Sequence, residues 1–209
     1  VVLFYFRDNL NFYKKNATLK KLSYLWLIQN AFLSLSVIMR VYHYVQHYNL
    51  AHKRIGVIVF VALCLIGLFL IYRKVSLVRS SHFLVKYMSM SALCIITLYS
   101  LPNWDRIIAK YNFEHSDTAF VHLDFLSDLR DSALPFLVKS PEQLENIKQT
   151  QRKVFSSSMA GRHKYMTNEQ FVLSTQIRAS NFKDEYPSRH WLEWTYADWN
   201  AHKELSQVD

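Results

Sequence analysis

Read for apolar and polar positions, the chain changes character near residue 101. Before that point, uncharged apolar runs of about eighteen residues alternate with short basic segments; after it, apolar residues recur every third or fourth position between charged ones. The first long run, Leu22 to Met39 (LSYLWLIQNAFLSLSVIM), contains no charge. Roughly 20 such residues cross a bilayer core of about 30 Å. Continued through RVYHYVQHY, it predicts a span over about 20–48. The second, Ile55 to Tyr72 (IGVIVFVALCLIGLFLIY), has no polar group beyond Cys64 and Tyr72 and predicts a span over 55–72. The third, over 83–101, carries Lys86 near its start, where a long side chain reaches the headgroups, and Tyr87 and Tyr99 at interface positions. The opening VVLFYF, residues 1–6, is too short to span and reads as the end of a truncated span, so further spans are expected upstream.

The first span carries a polar line. At about 100° per residue, Gln29, Ser36, Arg40, His43 and His47 fall within roughly 40° of one another around the helix. A polar side chain in hydrocarbon costs several kcal/mol unless partnered, so the line is expected to face other helices or a wet cavity.

Beyond Pro102, helical spacing of Trp104, Ile107, Ile108 and Tyr111, and of Phe120, Leu123 and Leu126, predicts a water-soluble helical domain over 102–209. Ser140-Pro141-Glu142-Gln143 and Thr167-x-x-Gln170 are capping-box starts, and Ser188 is taken as the cap of HWLEWTYADWNAHKEL. Helices are expected at about 103–112, 117–129, 141–157, 168–184 and 189–205, with a loop over 156–164. The fold class is therefore all-α: a multi-pass helical membrane protein with a small helical soluble C-terminal domain.

Composition sharpens this picture in two places. The net charge of +9 over 209 residues is unevenly held: residues 1–101 carry 12 Lys+Arg against Asp8 alone, and the remainder is slightly acidic. The basicity thus belongs to membrane flanks and gives no argument for nucleic acid. Loops 7–21 and 73–82 hold eight Lys+Arg against three (Arg40, Lys53, Arg54) on the opposite side, which places the first pair in the cytoplasm and the C-terminal domain outside. Three glycines leave no phosphate-cradling loop, and Cys64 and Cys94 lie inside apolar runs, where a thiol behaves as a small apolar group.

Candidate chemistry is sparse. Gln29, Asn30, Ser36 and Arg40 form a polar intramembrane cluster that would border a solute path. The simpler reading has Arg40 snorkelling to the interface while Gln29 bonds a neighbouring helix. His43 and His47, four apart with His52 following, have metal-ligand spacing, but no acid or Cys nearby completes a site, and no metal or other cofactor is expected. Asn103, Trp104 and Asp105 read as a helix start with an interfacial Trp; alternatively Asp105 pairs with Arg106, Lys110 or a basic residue of the 40–54 loop. Asp124, Asp128 and Asp131 read as a solvated face rather than a Ca²⁺ site. Trp191, Trp194 and Trp199 read as a packing edge ahead of a partner-binding or membrane-surface patch. No nucleophile motif is present, and no enzymatic activity is expected.

Several words of the sequence resemble a known family: RDNLNFYKKN before a span, Gln29-Asn30 with Arg40, NLAHKRIG, NWDRIIAKYN at 103–112, LDFLSDL at 123–129 and the tail WLEWTYADWNAHKEL. Together they look like the C-terminal part of the uncharacterised polytopic bacterial membrane family known as domain of unknown function forty-one-seventy-three, close to forty-one-fifty-three. The resemblance implies upstream spans, a bacterial inner membrane and a soluble tail, and it implies no reaction. Where that family commonly has Gly, this chain has Asp8 and Asn49; Asn tolerates left-handed backbone geometry, so the second turn is expected to persist. The function these readings favour is a membrane scaffold or accessory subunit of an envelope complex, with the bilayer and a protein partner or second copy as its partners. The rivals are a transporter or channel-like protein using the polar line, and a membrane sensor.

Overall fold

The structure, a computed structural model, describes residues 17–155 and 166–207. Among these every regular element is helical. The long helices are α1 (Ala17–Tyr48), α2 (His52–Ser76) and α3 (Ser81–Ser100). All three are long and apolar enough to cross a membrane. After them come α4 (Trp104–Glu114), a single turn α5 (Leu123–Ser127), a 3₁₀ turn at Asp131–Ala133 running into α6 (Leu134–Leu137), α7 (Pro141–Val154) and α8 (Asn168–Glu185). Two further 3₁₀ turns, Tyr186–Ser188 and Trp191–Glu193, precede α9 (Tyr196–Leu205). The opening segment 1–6 and the expected loop 156–164 lie outside the described residues.

The chain divides into two compact units. One comprises the residues up to His43 with Lys53–Pro102; the other comprises Tyr44–His52 with the chain from Asn103 onward. In the first, large apolar side chains point outward along all three helices, among them Phe32, Leu33, Phe60, Phe69, Leu93 and Ile96, and α3 buries no residue at all. In water such surface would drive association; in hydrocarbon it is the expected exterior. Specific contacts join the unit's described helices. Tyr24 of α1 lies 5.7 Å from Tyr72 of α2, ring centre to ring centre. A Cβ on Gly67 would sit 3.4 Å from Met88 Cε, so α2 and α3 approach closely there. The α2–α3 corner buries Lys74, whose ammonium donates to Ser81 Oγ at 2.8 Å.

The end of α2 explains its own geometry. Arg79 N–H donates to Lys74 C=O, and Val78 takes φ 53°. That bond and that backbone are the left-handed helix stop usually occupied by glycine. A β-branched residue there is strained by roughly 1–2 kcal/mol.

In the second unit the core is conventional. Ile108, Leu126, Ala133, Leu134, Leu137, Phe171, Phe182, Ala201 and Leu205 are buried. The segment 131–137 lies at the centre, packed against α4, α8 and α9. Two arginines fasten the connections around it. Arg178 of α8 donates to the carbonyls of Ser127 and Leu129 and pairs with Asp131 at 2.6 Å. Arg106 of α4 pairs with Glu204 of α9 at 2.6 Å while its guanidinium lies 4.9 Å from the Phe136 ring centre. Both capping boxes form: Ser140 with Gln143, and Thr167 with Gln170.

Two expected helices are corrected. The one expected at 117–129 is only the turn Leu123–Ser127, because the backbone at 119–120 is engaged elsewhere, as described below. The one expected at 189–205 starts only at Tyr196: Thr195, not Ser188, caps it by accepting from Asp198 N–H at 3.1 Å.

Replacing the strained residue, Val78→Gly, should raise the stability of the protein in detergent by about 1 kcal/mol, the relieved strain outweighing glycine's greater freedom in the unfolded chain. Thermal unfolding followed by circular dichroism reads the change; a lowered midpoint would contradict the strained-stop account.

Candidate functional site

The most elaborate polar arrangement in the described residues surrounds the turn between α1 and α2. Residues 49–51 interrupt helical hydrogen bonding, so their backbone groups need other partners. Asn112, on the buried face of α4 with Ile108 and Ala109, supplies both partners for Leu50. Its Oδ1 accepts from Leu50 N–H at 2.8 Å, and its Nδ2 donates to Leu50 C=O at 3.0 Å. A side-chain amide thus pairs with a backbone amide as a neighbouring strand would.

Asn49 makes the reverse connection. It ends α1 with φ 64°, the left-handed geometry that Asn tolerates, and is buried. Its Nδ2 donates to Phe120 C=O at 3.0 Å and reaches Ala119 C=O at 3.5 Å. Phe120 N–H donates to His47 C=O at 3.4 Å, and Gln151 Nε2 of α7 donates to Ala119 C=O at 3.3 Å. The segment Ala119–Val121, with Ala119 and Val121 buried, thus lies as an irregular strap whose carbonyls at 119 and 120 are taken by Asn49 and Gln151 rather than by a helix. At the far end of the turn, His52 Nε2 lies 3.0 Å from Asp105 Oδ1. Asp105 stands in the first turn of α4, whose start is capped by Asn103 accepting from Arg106 N–H at 3.2 Å.

Of the residues singled out by sequence, Asn103 and Asp105 belong to this arrangement: Asp105 takes its partner from the 40–54 stretch, in the form of His52. Trp104 is half-buried beside them. Gln29, Ser36, Arg40, His43 and His47 are exposed along α1. The side of α1 that packs instead carries Ser23, Leu27 and Val41, with Asn30 and Ser34 half-buried. Ser23, Asn30 and Ser34 satisfy themselves on carbonyls four residues back, at 2.9, 2.8 and 2.9 Å, so they sit on a packed face without an external partner. The expected cluster is thus split, Asn30 toward the packed side and Gln29, Ser36 and Arg40 away from it. Among the described residues no three His, Cys, Asp or Glu gather as metal ligands, so His43 and His47 gain no third donor. Asp124 accepts from Met166 N–H at 2.9 Å, Asp131 is held by Arg178, and Asp128 is exposed, so the three acids have separate surroundings. Trp191 and Trp194 do not form a packing edge: they are 75% and 55% exposed.

Sequence reasoning missed Asn112, His52 as the partner of Asp105, and Gln151. Asn112 did leave a signal, since it falls on the apolar face of α4 four residues after Ile108. A buried amide requires partners.

What the arrangement does chemically is hold. It contains amides, one imidazole–carboxylate pair and no activated nucleophile, and it makes the turn between two membrane-length helices part of the same compact unit as the C-terminal helices. Truncation by Asn112→Ala would leave Leu50 N–H and C=O without their partner in a half-buried position, a loss of about 1–3 kcal/mol. Hydrogen exchange in detergent should show the Leu50 amide and the 119–121 strap exchanging much faster in that variant. Unchanged protection there would mean the paired amides do not hold the turn.

Residues 1–140 match the family described as Domain of unknown function (DUF4153). The matched region includes α1 to α6 and every partner in the turn arrangement except Gln151; the expected family words in 191–205 lie beyond it. Neither a curated protein nor a solved structure matches the chain.

Proposed function

The chain belongs to the DUF4153 family, and from that premise we propose that it is a non-enzymatic membrane scaffold or accessory subunit whose C-terminal helices present a surface to a protein partner or to a second copy. The coarser statement stands by itself: three helices of membrane-spanning length and apolarity make this a membrane protein. The observation that carries the finer reading is the reciprocal pairing of Asn112 with Leu50. A domain joined to a span only by its preceding linker would swing freely. Here a second attachment lies in the chain itself: the turn of the α1–α2 hairpin belongs to the same compact unit as the C-terminal helices. A domain tethered at two points suits a protein that positions others.

The pairing also supports the topology. Three crossings bring the α1–α2 turn and the chain after α3 to the same side of a bilayer, the only way Leu50 and Asn112 can meet in water. The loop-charge bias favours the non-cytoplasmic side for it, which in the proposed bacterial inner membrane is the periplasm. A transport role for Gln29, Ser36 and Arg40 would require a second wall facing them, and the described residues leave that side of α1 exposed.

Two measurements test the proposal. In a Cys64→Ala/Cys94→Ala background, thiol labelling of intact cells should reach His47→Cys and Glu114→Cys equally and should miss Leu77→Cys; opposite accessibility of the first two would end the three-span topology. Affinity purification of the full-length protein from native membranes should yield a stoichiometric partner or a homo-oligomer by mass spectrometry and native mass, retained in Arg40→Ala and weakened in Asn112→Ala. A lone monomer whose Arg40→Ala variant loses solute uptake would instead establish transport.

A further inference from the structure

The C-terminal domain keeps one set of large apolar side chains out of its core. Trp191, Leu192, Trp194, Tyr196 and Trp199 are 75%, 70%, 55%, 69% and 40% exposed, all within nine residues of sequence. A soluble domain that buries Phe171 and Phe182 completely has no difficulty enclosing aromatic rings, so this exposure calls for a reason.

The backbone that carries these rings is well held. His190 Nδ1 accepts from Leu192 N–H at 3.3 Å, Glu193 N–H donates to His190 C=O at 2.9 Å, and Thr195 caps α9. Before the segment, Arg189 is anchored twice: its guanidinium lies 5.0 Å from the Phe182 ring centre and reaches Asp198 at 3.5 Å. Beyond it, Ala201 and Leu205 of α9 are buried in the core. The 3₁₀ turn and the helix start thus form a fixed platform from which the rings project.

We propose that this platform docks on the headgroup region of the bilayer that the same chain spans. Three features of the segment choose a membrane surface as its occupant. Tryptophan and tyrosine are the residues that concentrate at membrane–water interfaces, having an apolar body and a polar tip, and the exposed set holds three indoles and a phenol with one leucine. The charges at its margin nearly cancel: Arg189 is paired with Asp198, leaving Lys203, which lies 5.5 Å from the Trp199 ring centre, against Glu193. Such a patch suits a zwitterionic or mixed surface and needs no excess of anionic lipid. Finally, the domain begins at Asn103, directly after the third span ends at Ser100, so a bilayer surface is always within tether reach. At the resulting effective concentration, a few rings of modest individual affinity suffice for lasting contact.

The test uses the full-length protein in nanodiscs holding one copy each. With Trp26, Trp104, Trp199 and any Trp preceding Val1 changed to Phe, emission comes from Trp191 and Trp194. In phosphatidylcholine discs whose lipids are brominated near the headgroup, it should fall by about two-fold or more relative to unbrominated discs and shift to the blue, with anionic lipid making little difference. A spin label on Leu192→Cys, in the Cys64→Ala/Cys94→Ala background, gives a second reading should the Phe variant fold poorly. It should meet oxygen more readily than a water-soluble nickel chelate. Unquenched emission together with a chelate-accessible label in single-copy discs overturns the proposal. Shielding of the label only when two copies share a disc, or only when another protein is present, overturns it in favour of a protein occupant.

Discussion

A chain that turns back at a membrane surface leaves backbone amides unpaired at the turn, and the rest of this structure depends on how they are satisfied. Two asparagines divide the task. Asn49 ends α1 in a conformation that few residues adopt and sends its amide to the 119–121 strap, while Asn112 pairs with both polar groups of Leu50. Each bond would be worth only about 1 kcal/mol net, but a buried unpaired group costs more than that, so the arrangement is held together by the penalty for partial dissociation. The strap, the turn and the start of α4 consequently have to be in place together.

The two units are stabilised by different means. In the first, the helix exteriors are apolar nearly all round, and lipid solvates those surfaces, so packing between helices has little hydrophobic drive. What fixes register there is local: the close approach at Gly67, the Tyr24–Tyr72 contact and the buried Lys74 at the α2–α3 corner. In the second, water is the solvent, burial of Phe171, Phe182 and Leu134 supplies the drive, and Arg106 and Arg178 lock short connecting segments with few residues of regular structure. The asparagine pairing belongs to the second unit, and it uses groups that are indifferent to the hydrophobic effect.

Most local signals in the sequence match the structure. An eighteen-residue apolar run can hardly be anything but a long helix, and Ser140–Gln143 and Thr167–Gln170 cap their helices because the bonds involved span only three residues. Asn49, read as a left-handed position where a glycine is common in the family, adopts that geometry. Failure came where a distant partner overrode a local pattern. The Phe120–Leu123–Leu126 spacing is helical, yet Asn49, His47 and Gln151 engage the backbone at 119–120, which is irregular. At 189–205, the Thr195-x-x-Asp198 cap was the better local signal than Ser188, and it begins the helix seven residues later than Ser188 would. The polar line on α1 misled for another reason: Gln29, Ser36, Arg40, His43 and His47 lie on the exposed side, while the packed side holds Ser23, Asn30 and Ser34, whose side chains bond carbonyls four residues back, so polarity alone does not mark the packed face.

That last point bears on how the outward side of α1 should be understood. Gln29, Ser36 and Arg40 face away from the helices that α1 packs against, and they occupy different depths along it. Arg40, after the uncharged run, is close enough to the span's end for its long side chain to reach water, whereas Gln29 lies well inside the run. An amide at that depth, on an exposed side it shares with Leu22, Leu25 and Leu33, gains from any donor or acceptor that approaches it. Under the scaffold proposal, the hairpin's turn is already filled by the protein's own asparagine, while the side of α1 that carries Gln29 stays exposed.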